Sequence, residues 1–316
     1  MRIDPEIAAL AHDPAKQHCG QEEISRAVKD WKYDPALSAI HRQFSRYAAG
    51  DPLETLNALQ ALVSHVQAAG AFVSNWIDVH VHALKEAPLG QMPYRHSYAS
   101  GFATMQLLVE NGASLVLSVY EERTNPVTPT SAIFSDREQH EIVIAGKAQG
   151  LLSRCEQDTG TVTSSLLDVT LGDRLQLDCN REVRQWSDVK GRLVLLQLSR
   201  TPQDPAPTRE IQLEDSSLLM QSDGNKQTSQ SSVALAVLGA LQRHDAVPVM
   251  EELSASGPAH LRWEAVRQML TLDPFKGISV LDRMAQDPSE DLAVSAHRLA
   301  EQLRMQYPAL RHGKAA

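Results

Sequence analysis

The string His80-Val81-His82, with Glu86 four residues on, carries two imidazoles and a carboxylate, the donor types that hold a divalent transition metal. On a β-strand, residues i and i+2 share a face and could chelate Fe or Zn, whereas on a helix they diverge by about 200°. The neighbouring Phe72, Trp76, Val79 and Leu84 recur at helical spacing, so a helix is expected here. That helix would line up Asp78, His82 and Glu86 as a polar, solvated face. A second group, His96, Tyr98, Tyr120, His140, Arg184 and Trp186, lies in segments of alternating polarity and is expected to point into a barrel interior. There it would line a pocket for a small molecule. Paired carboxylates, a nucleophile elbow and a glycine-rich phosphate loop are all missing from any strand-turn-helix setting, so no catalytic residue is assigned.

The elements that must position these residues fall into three blocks. Residues 22–86 show apolar positions at a period of three to four, with Ile24, Ala27, Val28 and Trp31, then Leu37, Ile40, Phe44 and Tyr47, which predicts three or four helices. Asp34-Pro35 and Asp51-Pro52 read as helix starts, and Gly50 and Gly70 as stops. From residue 93 the pattern changes to β-type runs at 102–109, 114–120, 141–145, 166–177 and 192–198, with a short last strand at 211–213. Asn111-Gly112, Gly146, Gly150, Gly172-Asp173 and Gly191 punctuate them at the spacing of an all-β sandwich or barrel. Residues 221–232 have the polar Ser/Gln/Gly/Asn composition of a linker.

Beyond it the helical period returns, and two segments superimpose at an offset of 31. Leu261, Trp263, Ala265, Arg267 and Met269 fall on Leu292, Val294, Ala296, Arg298 and Ala300. Second helices are predicted at 246–253 and 275–284, and Pro258, Pro274 and Pro288 stand at helix starts. The segment 231–307 is similar to HEAT-type helical repeats, which implies a protein-binding surface. Arg267, Arg298 and Arg304 are the candidate partner-binding residues.

The middle block resembles a cupin, and more loosely the thiol dioxygenase branch of that family, across about residues 93–213. The resemblance rests on the strand order, on residues 139–146 (Gln-His-Glu-Ile-Val-Ile-Ala-Gly) ahead of Gly150, and on Val169-Thr170-Leu171-Gly172-Asp173 before an apolar strand. It implies a β jelly roll and, in the family, a metal held by a His-x-His pair before the first segment and by another His after the second. Here those places read Ile133-Phe134-Ser135-Asp136 and Glu182-Val183-Arg184. Phe and Val offer no lone pair, and Arg184 would repel a cation, so no cofactor is expected. The expected fold is therefore α+β and multidomain. It comprises an N-terminal helical segment packing on the barrel (1–92), a cupin-like β domain (93–220), a linker (221–232) and a HEAT-like helical domain (233–316). The expected function is that of a non-catalytic binding or regulatory protein, a metal-less cupin-like domain joined to a helical-repeat surface for a protein partner; the alternative is a metal-dependent cupin oxygenase acting on a small molecule, with atypical Fe or Zn ligands drawn from His80, His82, Glu86, His96 and His140.

Composition narrows the partners. A net charge of -9 with scattered Lys and Arg argues against nucleic acid and anionic membranes. The first sixteen residues carry Asp4, Glu6 and Asp13 without an apolar core, so a secretory leader is not expected. The longest uncharged apolar run, 233–241, is about half of what spans a bilayer. Cys19, Cys155 and Cys179 are odd in number and far apart, which predicts reduced thiols and a cytoplasmic protein.

Overall fold

The computed structural model describes residues 8, 13, 15–122, 128–156, 159–287 and 291–311. Pro288 and most of the first fourteen residues, on which the leader expectation rests, lie outside the described residues. The chain divides into two compact units, Met1–Ser222 and Asp223–Ala316.

Among the described residues of the first unit, the α-helices α1 (Ala15–Lys32), α2 (Ser38–Ala48), α3 (Asn57–Ser64) and α4 (Val66–Glu86) precede the strands. The helical period identifies their inner faces, because Ile24, Val28 and Trp31 of α1, Phe44 and Tyr47 of α2, and Phe72 and Trp76 of α4 are all buried. The expected helix starts differ in detail. Asp34 closes a turn by accepting from the Ala36 amide, so α2 begins only at Ser38, and Asp51 instead accepts from Arg46 Nε at 2.7 Å. Gly50 does end α2, at φ +115°. Gly70, expected as a stop, lies inside α4, where a Cβ would meet nothing within 4 Å.

The strands are β1 (His96–Ala99), β2 (Phe102–Glu110), β3 (Ala113–Glu121), β4 (Ser131–Phe134), β5 (Glu138–Cys155), β6 (Val162–Val169), β7 (Arg174–Asp178), β8 (Glu182–Arg200), β9 (Thr208–Gln212) and β10 (Leu218–Ser222). The large antiparallel sheet has the order β1-β2-β3-β8-β5-β6 with β7 also on β5, and a small sheet has the order β10-β9-β4. The large sheet, whose long strands β5 and β8 change partners along their length, and the small sheet of short strands form a jelly-roll architecture. The predicted runs 141–145 and 192–198 are only parts of β5 and β8. The run 166–177 is broken by a turn in which Asp173 accepts from the Thr170 amide.

β5 and β8 pair from Glu138↔Arg200 to Arg154↔Glu182, with register shifts between Val143 and Lys147. Gly146 sits in that bulge at φ +83°, and a Cβ there would lie 1.8 Å from the Arg192 carbonyl oxygen, so only glycine allows the two strands this approach. Alternation then divides the large sheet into two faces. Leu115, Ile142, Leu196 and Leu198 face the helices and share their core with Trp31, Phe44, Leu59 and Phe72. Arg200 fastens the same face, since Nη1 donates to the carbonyls of Tyr47 and Asp51 at 2.8 and 3.0 Å and Nη2 pairs with Glu138 at 2.9 Å. The opposite face is the barrel interior. One part of it is filled by Val143, Trp186, Val189, Leu193 and Leu195, and the remainder is polar.

The described residues of the second unit form the helices α5 (Lys226–Ala240), α6 (Val247–Ser254), α7 (Ala259–Leu272), α8 (Pro274–Gln286) and α9 (Ala293–Gln306). The expected linker is not an extended segment. β10 runs to Ser222, and Asn225 Oδ1 accepts from the amides of Gln227 and Thr228, capping a helix that takes up the polar residues from 226. α5 and α6 both pack on α7, α7 packs on α8 and α8 on α9, around Leu235, Met250, Ala265, Met269, Leu281, Ala296 and Ala300. The offset pairs Ala265/Ala296 and Met269/Ala300 are buried at both positions. Among the described residues, no helix is long and apolar enough to cross a membrane.

Candidate functional site

The polar half of the barrel interior is built from alternate residues of five strands. Phe102, Thr104 and Gln106 of β2, Ser114, Val116 and Tyr120 of β3, Gln139 of β5, Arg184, Gln197 and Ser199 of β8, and Ile133 of β4 line a cavity of about 390 Å³. Arg184 and Tyr120 also border a second cavity of about 350 Å³, together with Trp186 and Val189.

At the centre stands a buried ion pair. Glu141 (1% exposed) receives Arg184 (9% exposed) in bidentate fashion, with Arg184 Nε donating to Oε2 at 2.8 Å and Nη2 to Oε1 at 2.7 Å. Gln139 Nε2 and Gln197 Nε2 also donate to Oε1, and Ser118 Oγ in turn donates to Gln197 Oε1. Oε1 thus accepts from three donors and Oε2 from one, so both oxygens of the carboxylate are tied to the barrel's own side chains. Arg184 Nη1 donates to the Tyr120 hydroxyl at 3.0 Å, and the guanidinium carbon lies 5.0 Å from the Trp186 ring centre and 5.4 Å from that of Tyr120. Burial alone would lower the Arg184 pKa, but the Glu141 carboxylate and the Tyr120 hydroxyl outweigh it and hold the cation above its ordinary value. Three of its five N–H groups are engaged in these bonds, which leaves two for other acceptors.

Arg137 and Cys179 complete the wall. Burial pushes the Cys179 thiol up and nearby Arg137 partly offsets this, so the sulfur is a neutral thiol rather than a nucleophilic thiolate. Cys155 is likewise buried and Cys19 exposed, and all three are free.

Of the six pocket candidates, Tyr120, Arg184 and Trp186 are brought together. The other three lie elsewhere. Tyr98 is 68% exposed on the edge strand, with its hydroxyl donating to Glu121, and His96 is exposed two residues earlier. His140 points to the helix-facing side of β5, into a depression with Glu138, Gln176 and Arg200, and burial lowers its pKa. Strand alternation explains the difference, because Gln139 and Glu141 take the inner face and the residue between them must take the outer one. Glu141, Gln139, Gln197 and Arg137 went unselected. The available signal was the parity of Leu196 and Leu198, whose apolar face leaves Gln197 and Ser199 inward.

The ligand string on α4 is dispersed. His80 is buried, Nδ1 donating to the Trp76 carbonyl at 2.6 Å and Nε2 accepting from the Tyr94 hydroxyl at 2.8 Å, while His82, Asp78 and Glu86 are exposed. His96 and His140 lie on β1 and β5, four strand spacings of about 4.8 Å apart along the sheet. Among the described residues, no three His, Cys, Asp or Glu side chains are grouped to hold a metal ion. Of the three candidate partner-binding residues, Arg267 pairs with Glu264 at 2.8 Å, Arg304 pairs with Asp282, and Arg298 is exposed on α9.

No protein-family model and no curated protein matches the chain. Solved structures similar to part of it include a vicilin from Capsicum annuum (14% identity, 38% of this chain and 33% of that chain, TM-score 0.28). A cupin superfamily protein from Desulfitobacterium hafniense is 12% identical over 34% of this chain and 83% of that chain, with a TM-score of 0.24. An oxalate decarboxylase from Lactobacillus farciminis is 14% identical over 35% of this chain and 31% of that chain, with a TM-score of 0.26. These likenesses are too slight to assign a function, and the jelly-roll description stands on the strand pairing above.

Proposed function

We propose that the protein is a non-catalytic binding protein. Its cupin-like barrel receives one small polar molecule, and its helical unit, read as HEAT-like repeats, contacts a protein partner. The observation that carries the reading is the polar cavity of about 390 Å³, whose lining includes Arg184 with its charge already met by the buried Glu141. A carboxylate buried outside the cavity lining and held by a bidentate arginine is not presented to a ligand, which weighs against its use as a base or metal ligand there. The cavity walls, by contrast, carry hydroxyls and amides from Thr104, Gln106, Ser114 and Ser199, the groups that orient a polar ligand. For the helical unit, the support is the stacking of α5 to α9 and the exposure of Arg298, with Arg267 nearby in the offset register.

The test is thermal unfolding in the presence of a library of small polar compounds. At least one class is expected to raise the melting temperature by mass action, and a cavity-filling Val116→Phe substitution is expected to abolish that shift. If no compound stabilises the chain, or if the purified protein carries a stoichiometric metal that leaves when barrel residues are changed, the reading is wrong.

A further inference from the structure

We infer that the barrel cavity selects a small organic monocarboxylate, with Arg137 as the residue that receives the carboxylate; this rests on the binding reading above. The cavity wall contains two guanidinium groups, and only one has its counter-ion. Arg184 is neutralised by Glu141 at 2.7 Å. Arg137 has no ion pair among the described residues, and its Nε is buried with no hydrogen-bond acceptor. Its neighbour Cys179 is a neutral thiol and supplies no charge. The one other acidic group in the wall, Glu182, is answered by Arg154 at 2.8 Å. The cavity therefore carries one surplus positive charge beside an unsatisfied N–H. A half-buried guanidinium in that condition costs free energy until an anion or water meets it.

Charge and size set the class of ligand. One surplus charge matches one carboxylate, which the planar fork of an arginine receives with two parallel N–H donors, and it under-compensates a dianionic phosphate. At roughly 30 Å³ per water, the cavity holds on the order of a dozen water-sized groups, so the occupant is a molecule of metabolite size and not a polymer. Thr104, Gln106, Ser114, Gln139 and Ser199 face the same space with hydroxyls and amides, which favours a hydroxylated acid over an aliphatic one.

The experiment is titration calorimetry of the full chain with lactate, glycerate, gluconate and hexanoate, beside the neutral glycerol and glucose, and with inorganic phosphate, all at millimolar concentration. A hydroxycarboxylate is expected to bind, and Arg137→Gln is expected to weaken it tenfold or more. The unliganded variant should still melt in one cooperative transition, because Arg137 makes no ion pair among the described residues and its contact with Cys179 is to a neutral thiol. Binding of the neutral polyols without the acids keeps the cavity reading and overturns the carboxylate inference. Acid binding that is unchanged in Arg137→Gln, or preference for phosphate, also overturns it. If none of these compounds binds while other polar compounds stabilise the chain, the inference fails alone. If nothing stabilises the chain, both fall.

Discussion

Glu141 and Arg184 each occupy a place that would be costly alone. Taking a carboxylate or a guanidinium out of water is repaid here by a bidentate pair and by the two glutamine amides that complete the carboxylate's shell. Glu141→Leu removes the counter-ion and strands the cation, and a loss of about 3–5 kcal/mol is expected. The double substitution Glu141→Leu with Arg184→Met removes both charges and should recover most of that loss, with urea midpoints as the measurement. A double variant as unstable as the single one would mean that the pair contributes through packing and not through charge compensation. The sequence reading selected Arg184 and Trp186 but took His140 in place of Glu141, since histidine is the residue type that draws the eye in a barrel of this kind. Whether 140 or 141 points inward depends on the register of β5 against β8, and that register is set by the bulge at Gly146, a long-range pairing with no local signature.

Helices were more legible than strands, because a period of 3.6 over many residues carries more signal than alternation over five. The buried positions Ile24, Val28, Trp31, Phe44 and Tyr47 are those that the period picked out. The strand ends were not, since β5 and β8 each run through a predicted break and their continuity comes only from partners far along the chain. At the junction of α4 with the sheet, Trp31, Trp76 and Tyr94 enclose His80, with ring centres 4.8–5.6 Å from the imidazole. Burial lowers the pKa of His80, and it does the same for His41 and His140. The unfolded chain, with histidines near 6.5, then binds more protons than the folded one below that pH. Stability is accordingly full above about 6.5 and falls as the pH is lowered through it, by up to about 1.4 kcal/mol per pH unit for each such histidine. Denaturant titrations between neutral pH and pH 5 should show this slope, and His80→Gln should reduce it by one histidine's share. An unchanged slope in the variant would show that the imidazole charges freely in the folded state.

At the scale of the whole chain, the segment boundaries and the cores coincide. The buried apolar cluster shared by α1 to α4 and the large sheet involves residues between Ile24 and Leu198, and that of α5 to α9 involves residues between Leu235 and Leu310. Residues 226–232 of the polar stretch that read as a spacer form the capped first turns of α5, because Asn225 satisfies two amides that an isolated polar segment would leave to water. A helical unit with its own core and its own N-terminal cap has what it needs to fold alone, and its length exceeds the ~40 residues below which domains need disulfides or metals. The segment from Asp223 to Ala316, expressed separately, is expected to give a helical circular dichroism spectrum and to melt in one cooperative transition. Met269→Ala at the centre of its core should lower that transition by about 2–5 kcal/mol in stability. An unfolded spectrum, or a melt insensitive to Met269→Ala, would mean that the stack is held up from outside itself, and the partner-binding surface assigned to it would then have to include the residues that do so.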